Sequence, residues 1–303
     1  MSFDAIGRPP VSVIVPTRDR PEKLDRCLGS LRGALRDHDE LVVVDSASVA
    51  AAAVAAAAQR HGARLVRCEL PGVDRARNAG WRTVQHDIVL FTDDDVTVDP
   101  AWADAFVGCF AAYPEAAFVT GWIGAVGEPD ARFTVALKTD EEPVVLDSAT
   151  RGVLGHSASL AVRRDVLEQI RGFDESMGAG SRFRASPEVD LFDRIFAIGR
   201  TGRYEPSSRA WHESWRGTGE VIRLHYGYGV GAGARMAKLL RTDRQRLKVV
   251  AAENLWSWGV VTLWEHVWRL RWRATIVDLN RIRGFIVGFA RGIRASVVDG
   301  HFV

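Results

Sequence analysis

What most limits the folds open to this chain is a repeated order over its first hundred residues: an aliphatic run, a polar loop, then a helical pattern. The run Val11-Ser12-Val13-Ile14-Val15 is β-branched and stops at Pro16-Thr17. Arg18-Asp19-Arg20-Pro21 follows, then a helical spacing of Leu24, Leu28 and Leu31. Leu41-Val42-Val43-Val44 ends at Asp45 and precedes an alanine-rich helix to about Gln59. A short strand over residues 64–66, the Pro71-Gly72 turn and a helix over residues 75–84 lead to Ile88-Val89-Leu90-Phe91, which runs into Asp93, Asp94 and Asp95. Strands alternating with helices predict an α/β fold with a mainly parallel sheet covered on both faces, and near-continuous apolar strands suit its buried centre.

Sheets of this kind bind ligands outside the carboxyl ends of their strands. Thr17 and Arg18, Asp45, and Asp93 to Asp95 all fall there, so three strand ends predict one cleft. Adjacent aspartates oppose one another's ionisation unless a cation neutralises them, which points to Mg²⁺ or Mn²⁺ with positions left for phosphate oxygens. A helix N-cap with solvated neighbours is the alternative, since Asp99-Pro100 reads as a helix start. Arg75-Ala76-Arg77-Asn78-Ala79-Gly80 offers two guanidinium forks to a base or phosphate, or simply opens a basic helix. Asp45, before Ser46 and Ser48, suits either a nucleoside or a turn cap.

Beyond residue 116 the pattern changes to short β runs at 117–119 and 143–146, with a return to the core over 157–162. This division predicts one domain over 1–240, a nucleotide-binding half to about 115 and an acceptor half after it, followed by a helical appendage over 241–303. Gly227 to Gly233 alternates glycine with other residues ahead of a basic helix. A net charge of +2 argues against a nucleic-acid binder. Three widely spaced cysteines with no CxxC suit a reducing compartment, and the first ten residues lack the basic-then-apolar order of a secretory signal, so a cytoplasmic location is expected.

Taken together, Val13-Ile14-Val15-Pro16-Thr17-Arg18, Val43-Val44-Asp45-Ser46, Ala76-Arg77-Asn78-Ala79-Gly80 and Phe91-Thr92-Asp93-Asp94-Asp95 resemble the family-2 glycosyltransferases over roughly residues 11 to 230. The resemblance implies a GT-A fold, a nucleoside-diphosphate-sugar donor and a saccharide or lipid-linked acceptor, in polysaccharide, glycolipid or cell-envelope glycan synthesis. It also implies site roles. Pro16, Thr17, Arg18, Asp45, Arg77 and Asn78 would hold the nucleoside, with Arg75 or Arg77 near the diphosphate. Asp93 and Asp94 would reach the ribose, and Asp93, Asp95 and His212 the divalent metal. Gly155-His156-Ser157 and Gly172-Phe173-Asp174-Glu175 continue the likeness along the acceptor pocket.

The family's base motif, Gly-Glu-Asp-x-Asp-Leu, is replaced here by Ser186-Pro187-Glu188-Val189-Asp190-Leu191. Glu188 falls where relatives have the catalytic aspartate and is expected to be the base of an inverting displacement, with Asp190 beside it binding acceptor or supporting the base. A pair of acids at a helix N-terminus is the alternative. Trp211 and Trp215 are candidates for stacking on a sugar.

Trp264, Trp268 and Trp272 recur at four-residue steps among Arg269, Arg271 and Arg273, and Arg281, Arg283, Arg291 and Arg294 follow around Phe285, Ile286 and Phe289. Peripheral contact with a membrane, packing on the catalytic domain, and packing on a second subunit all fit that pattern. A nucleotidyltransferase would carry a glycine-rich loop after the first strand, whereas Pro16 to Arg20 contains no glycine. A sugar-nucleotide or glycan binder that has lost its base is the remaining rival.

Overall fold

The computed structural model describes residues 7–126, 137–213, 218–253 and 261–303; Trp215 and the side chain of Arg273 lie outside the described residues. The N-terminal half comprises β1 (Val11–Thr17), α1 (Pro21–Ala34), β2 (Glu40–Ser46), α2 (Ala51–Arg60), β3 (Arg64–Cys68), α3 (Val73–Trp81), β4 (Ile88–Phe91), β5 (Val96–Val98) and α4 (Trp102–Ala112). The acceptor half adds β6 (Phe118–Val126), β7 (Val144–Leu146), a 3₁₀ turn (Ser157–Ser159), β8 (Leu160–Arg163), α5 (Arg164–Gln169), α6 (Pro187–Ala197) and β9 (Gly202–Glu213). The C-terminal helices are α7 (Thr218–Thr242), α8 (Arg244–Glu253), α9 (Val261–Trp268) and α10 (Trp272–Arg294), and the hairpin β10 (Val297–Val298) and β11 (His301–Phe302) closes the chain.

The described strands form a sheet in the order β3-β2-β1-β4-β8-β6-β9-β5, with β7 on β9. β3, β2, β1 and β4 are mutually parallel, and β8 joins β4 antiparallel. Every residue of β1 is buried, because helices cover both faces. Leu24, Val54 and Phe106 from α1, α2 and α4 pack on one face, while Ala76, Val166 and Leu191 from α3, α5 and α6 pack on the other. The strand order reverses at β1, which opens a crevice at its carboxyl end between the loops after β1, β2 and β4. α3 lies close to this sheet because residue 80 is glycine; a Cβ there would come within 2.7 Å of Cγ2 of Ile14.

Two local features depart from simple patterning. Tyr204-Glu205-Pro206, where a proline suggests a turn, belongs to the long strand β9. Its register against β6 jumps from Gly121↔Glu205 to Trp122↔Arg209, so Pro206, which has no N–H to donate, sits in the irregularity and the strand continues beyond it. The Gly227-to-Gly233 stretch is the interior of α7. There α7 and α10 run side by side in parallel, and a Cβ at Gly229, Gly233, Gly284 or Gly288 would collide with the backbone carbonyl of Arg281, Phe285, Tyr226 or Val230 respectively. Each glycine costs a helix about 1 kcal/mol relative to alanine, a loss offset by backbones packing in direct contact.

Candidate active site

Asp93 to Asp95 leave β4 in a turn, so adjacent carboxylates face different partners. Asp94 is buried and fully engaged, accepting from Oγ1 of Thr17 at 2.8 Å and from Nη1 of Arg20 at 2.9 Å. Burial pushes its carboxyl up to about 6 against the pull of Arg20. Asp94, expected at the ribose, here clamps the β1 and β4 loops together. Arg20, which sequence reasoning missed, is the cation that makes this possible.

Asp93 and Asp95 flank that clamp. Asp93 accepts from Nη2 of Arg77 at 2.7 Å and is 29% exposed in its side chain. Burial alone would raise its carboxyl; Arg77, His212 and Arg20 outweigh that and hold it below the usual carboxylate range. Nε2 of His212 lies 3.3 Å from Oδ1 of Asp95, with Nδ1 at 3.1 Å from the Glu213 carbonyl. That carbonyl can only accept, so Nδ1 carries a proton toward it and Nε2 is left facing the carboxylates. One donor atom each from Asp93, Asp95 and His212 falls within 4.8 Å of the others. Two carboxylate oxygens and an imidazole nitrogen form a donor set that fits a divalent ion of the Mn²⁺ or Mg²⁺ kind.

Around this trio the structure distributes the other expected residues unevenly. Pro16 and Thr17 lie at the buried end of β1, and Arg18 is exposed beyond it. Asp45 is buried at the end of β2, accepting from Nη1 of Arg67 at 2.5 Å and from the Ser48 amide at 3.0 Å. Arg75 sits on the rim with its Nε 3.2 Å from Glu175, whereas Arg77 is buried between Asp74 and Asp93 with its guanidinium over the Phe173 ring.

Asn78, expected near the nucleoside, is engaged within the protein. Its amide donates to the Phe173 carbonyl and to Glu175, and accepts from the Phe173 amide and from Nε1 of Trp81, at 2.9 to 3.1 Å. All four hydrogen-bonding positions of the amide are thus used within the protein. The residue instead locks α3 to the Gly172-Phe173 turn, where a glycine is required because residue 172 has φ +70° and a Cβ would strike the Asn78 and Trp81 side chains.

Glu188 and Asp190 part company on α6. Ser186 adopts φ +67°, Pro187 starts the helix, and Glu188 stands at its first turn. Among the described residues its carboxylate has no side-chain hydrogen bond to another residue. Burial raises its pKa, Asp93 adds to the rise and Arg77 opposes it, so Glu188 lies within the field of the aspartate cleft. Asp190 is buried, with one oxygen 2.5 Å from Lys238 and the other 3.0 Å from Arg194. Both oxygens are engaged within the protein, which suits a role in positioning α6 and with it Glu188.

His156 was noted only as part of a motif. Burial lowers its pKa to about 4, and it lies within the field of His212 and Asp93, so a neutral imidazole borders the trio. Trp211 meets Trp122 edge-on, with ring centroids 5.8 Å apart, under the guanidinium of Arg209. The Trp122 indole N–H is buried and has no partner among the described residues.

The sequence matches the profile described as Glycosyl transferase family 2 over residues 12–171. It is 28% identical over 276 residues to the pre-mycofactocin glycosyltransferase of Mycobacterium tuberculosis, covering 86% of this chain and 54% of that one. It is 30% identical over 219 residues to the O-antigen biosynthesis protein RfbC of Myxococcus xanthus, covering 64% of this chain and 16% of that one. The chain thus spans about half, or less, of the length of these curated relatives. Among solved structures, the mannosyltransferase PcManGT from Pyrobaculum calidifontis in complex with GDP-Man and Mn²⁺ superposes with TM-score 0.64 at 21% identity, covering 93% of this chain and 88% of that one. TarS of S. aureus superposes with TM-score 0.56 at 15% identity, covering 81% of this chain and 43% of that one. The likeness to these structures is one of fold.

Proposed function

The chain belongs to glycosyl transferase family 2 and has the GT-A fold, and from that premise we propose that it moves a sugar from a nucleoside-diphosphate donor to an acceptor hydroxyl with inversion at the anomeric carbon. The observation that carries this reading is an aspartate–aspartate–histidine trio in the same electrostatic neighbourhood as Glu188, a carboxylate with no side-chain partner among the described residues.

In this mechanism Glu188 accepts the proton of the acceptor hydroxyl. The freed oxygen bonds to the anomeric carbon as the bond from that carbon to the diphosphate oxygen breaks, so the nucleoside diphosphate leaves from the opposite face. Its raised pKa makes Glu188 a stronger base than an exposed glutamate. Asp45 and Arg67, at the end of β2 and in β3, border the nucleoside side, while exposed Arg18 and half-buried Arg75 at the rim are the cations for the phosphates. Asp93, Asp95 and His212 would hold Mn²⁺ or Mg²⁺, whose charge would stabilise the departing diphosphate. Trp211 and Trp122 offer an aromatic edge for a saccharide or lipid-linked acceptor. Synthesis of a polysaccharide, glycolipid or cell-envelope glycan is the setting this chemistry fits.

The test is Glu188→Gln. Nucleoside-diphosphate affinity should stay near wild type while transfer falls by about a hundredfold or more; transfer at the wild-type rate would contradict the assignment.

A further inference from the structure

The outward face of α10 is apolar where a surface helix is expected to be polar. Its inner face is buried on α7 through Gly284, Gly288 and Gly292. The opposite stripe, Trp272, Ile276, Leu279, Arg283, Ile286 and Ile293, follows steps of three, four and seven residues and is exposed throughout. At 1.5 Å per residue it is about 30 Å long. The turn before it extends the surface: Trp264, Trp268 and Trp272 are 66%, 76% and 67% exposed, and the first two rings are stacked with centroids 6.1 Å apart. Leu270, between them in a left-handed turn at φ +53°, is 67% exposed as well. A continuous apolar surface of this size marks a contact site.

Charge identifies the occupant. Among the described residues of 264–294, the exposed charge is mostly arginine, at 269, 271, 283, 291 and 294; the one acid with an open side chain, Glu265, is 3.1 Å from Arg269, and Asp278 is buried against His266 and Arg281. A two-fold copy of the chain would set these five arginines near one another with Glu265, already paired to Arg269, as the acid to meet them. An anionic bilayer surface satisfies both features, tryptophan at the level of the headgroups and arginine on the phosphates. No described helix is long and apolar enough to cross a membrane, which matches a helix pair lying in the interface. We propose that the α9–α10 corner and the outer face of α10 attach this chain to an anionic membrane surface. Attachment of this kind is independent of the transfer chemistry.

The experiment is co-sedimentation of the full chain with phosphatidylcholine vesicles and with vesicles that also contain phosphatidylglycerol. The chain should bind the anionic vesicles selectively, less so at high salt, with a blue shift of tryptophan emission. The double substitution Trp268→Ser and Trp272→Ser should weaken binding by about tenfold or more while leaving circular dichroism and nucleoside-diphosphate affinity unchanged. Should that variant fail to fold, Arg283→Glu, an exposed change of charge alone, carries the test and should weaken binding to anionic vesicles. Wild-type chain that ignores both vesicles, or variants that bind as wild type does, overturn the proposal. So does a solution dimer that these substitutions convert to monomer, which would give the face to a second copy.

Discussion

Oδ1 of Asp190 lies 2.5 Å from Nζ of Lys238, and the same ammonium lies 2.5 Å from Oδ2 of Asp174. One buried lysine of α7 therefore ties together the helix that carries Glu188 and the loop that precedes it. The Phe302 amide donates to the same Asp174 oxygen at 2.9 Å, so the C-terminal hairpin is fastened to this cluster too.

Lys238→Met should leave buried Asp174 without its cation and Asp190 with Arg194 alone, and cost about 3 to 5 kcal/mol. Urea unfolding at neutral pH measures it. For Asp190, burial raises the pKa, but Lys238 and Arg194 outweigh burial and hold it below the usual value. A depressed folded pKa means this contribution is complete above the unfolded value of about 3.9 and is lost as pH falls through the folded one. Wild type should therefore lose stability in that acid range, and Asp190→Asn should show a weaker acid dependence there.

Asn78→Ala should strand the Phe173 amide and the Trp81 indole N–H, each costing about 1 to 3 kcal/mol. The expected result is a lower melting temperature with nucleoside-diphosphate affinity little changed, because the amide has no free hydrogen-bonding group to offer.

The acid limb of kcat/KM should report Glu188 in its free-enzyme form. Burial, with Asp93 behind it, raises that carboxyl, so activity should decline as pH falls through a midpoint above the ordinary glutamate value of 4.5. Glu188→Asp should retain a base-dependent limb at reduced rate, and Glu188→Gln should lose it.

Gly288→Leu should be far more damaging than Gly219→Leu. The first drives a side chain into the Val230 backbone, whereas among the described residues nothing lies within 4 Å of a Cβ at the second. Circular dichroism melts of the two variants give the comparison.

Much of this architecture is written in the chain because a buried parallel strand needs an uninterrupted aliphatic run, and β1, β2 and β4 have one. The residues that end those runs inevitably meet at one crevice. Less legible is which way each side chain turns. Asp93, Asp94 and Asp95 are identical in composition, yet the middle one is spent on Thr17 and Arg20, a choice made by loops that are distant in sequence. Asn78 and Asp190 stand within recognisable motifs, yet their internal partners could not be read there, since only the fold brings Phe173 to one and Lys238 to the other. Glycine at 229 and 233, repeated at 284, 288 and 292, was a visible four-residue spacing that signals two helices in close contact, but it reads as a loop until both stretches are considered together.

Calorimetric titration of nucleoside diphosphates into the chain with and without Mn²⁺, repeated on Asp95→Asn and His212→Ala, tests the active-site assignment most directly. The account predicts binding of at least one nucleoside diphosphate that Mn²⁺ strengthens about tenfold or more in the wild type and not in either variant. Affinity indifferent to Mn²⁺, or enhanced equally in all three proteins, would contradict it.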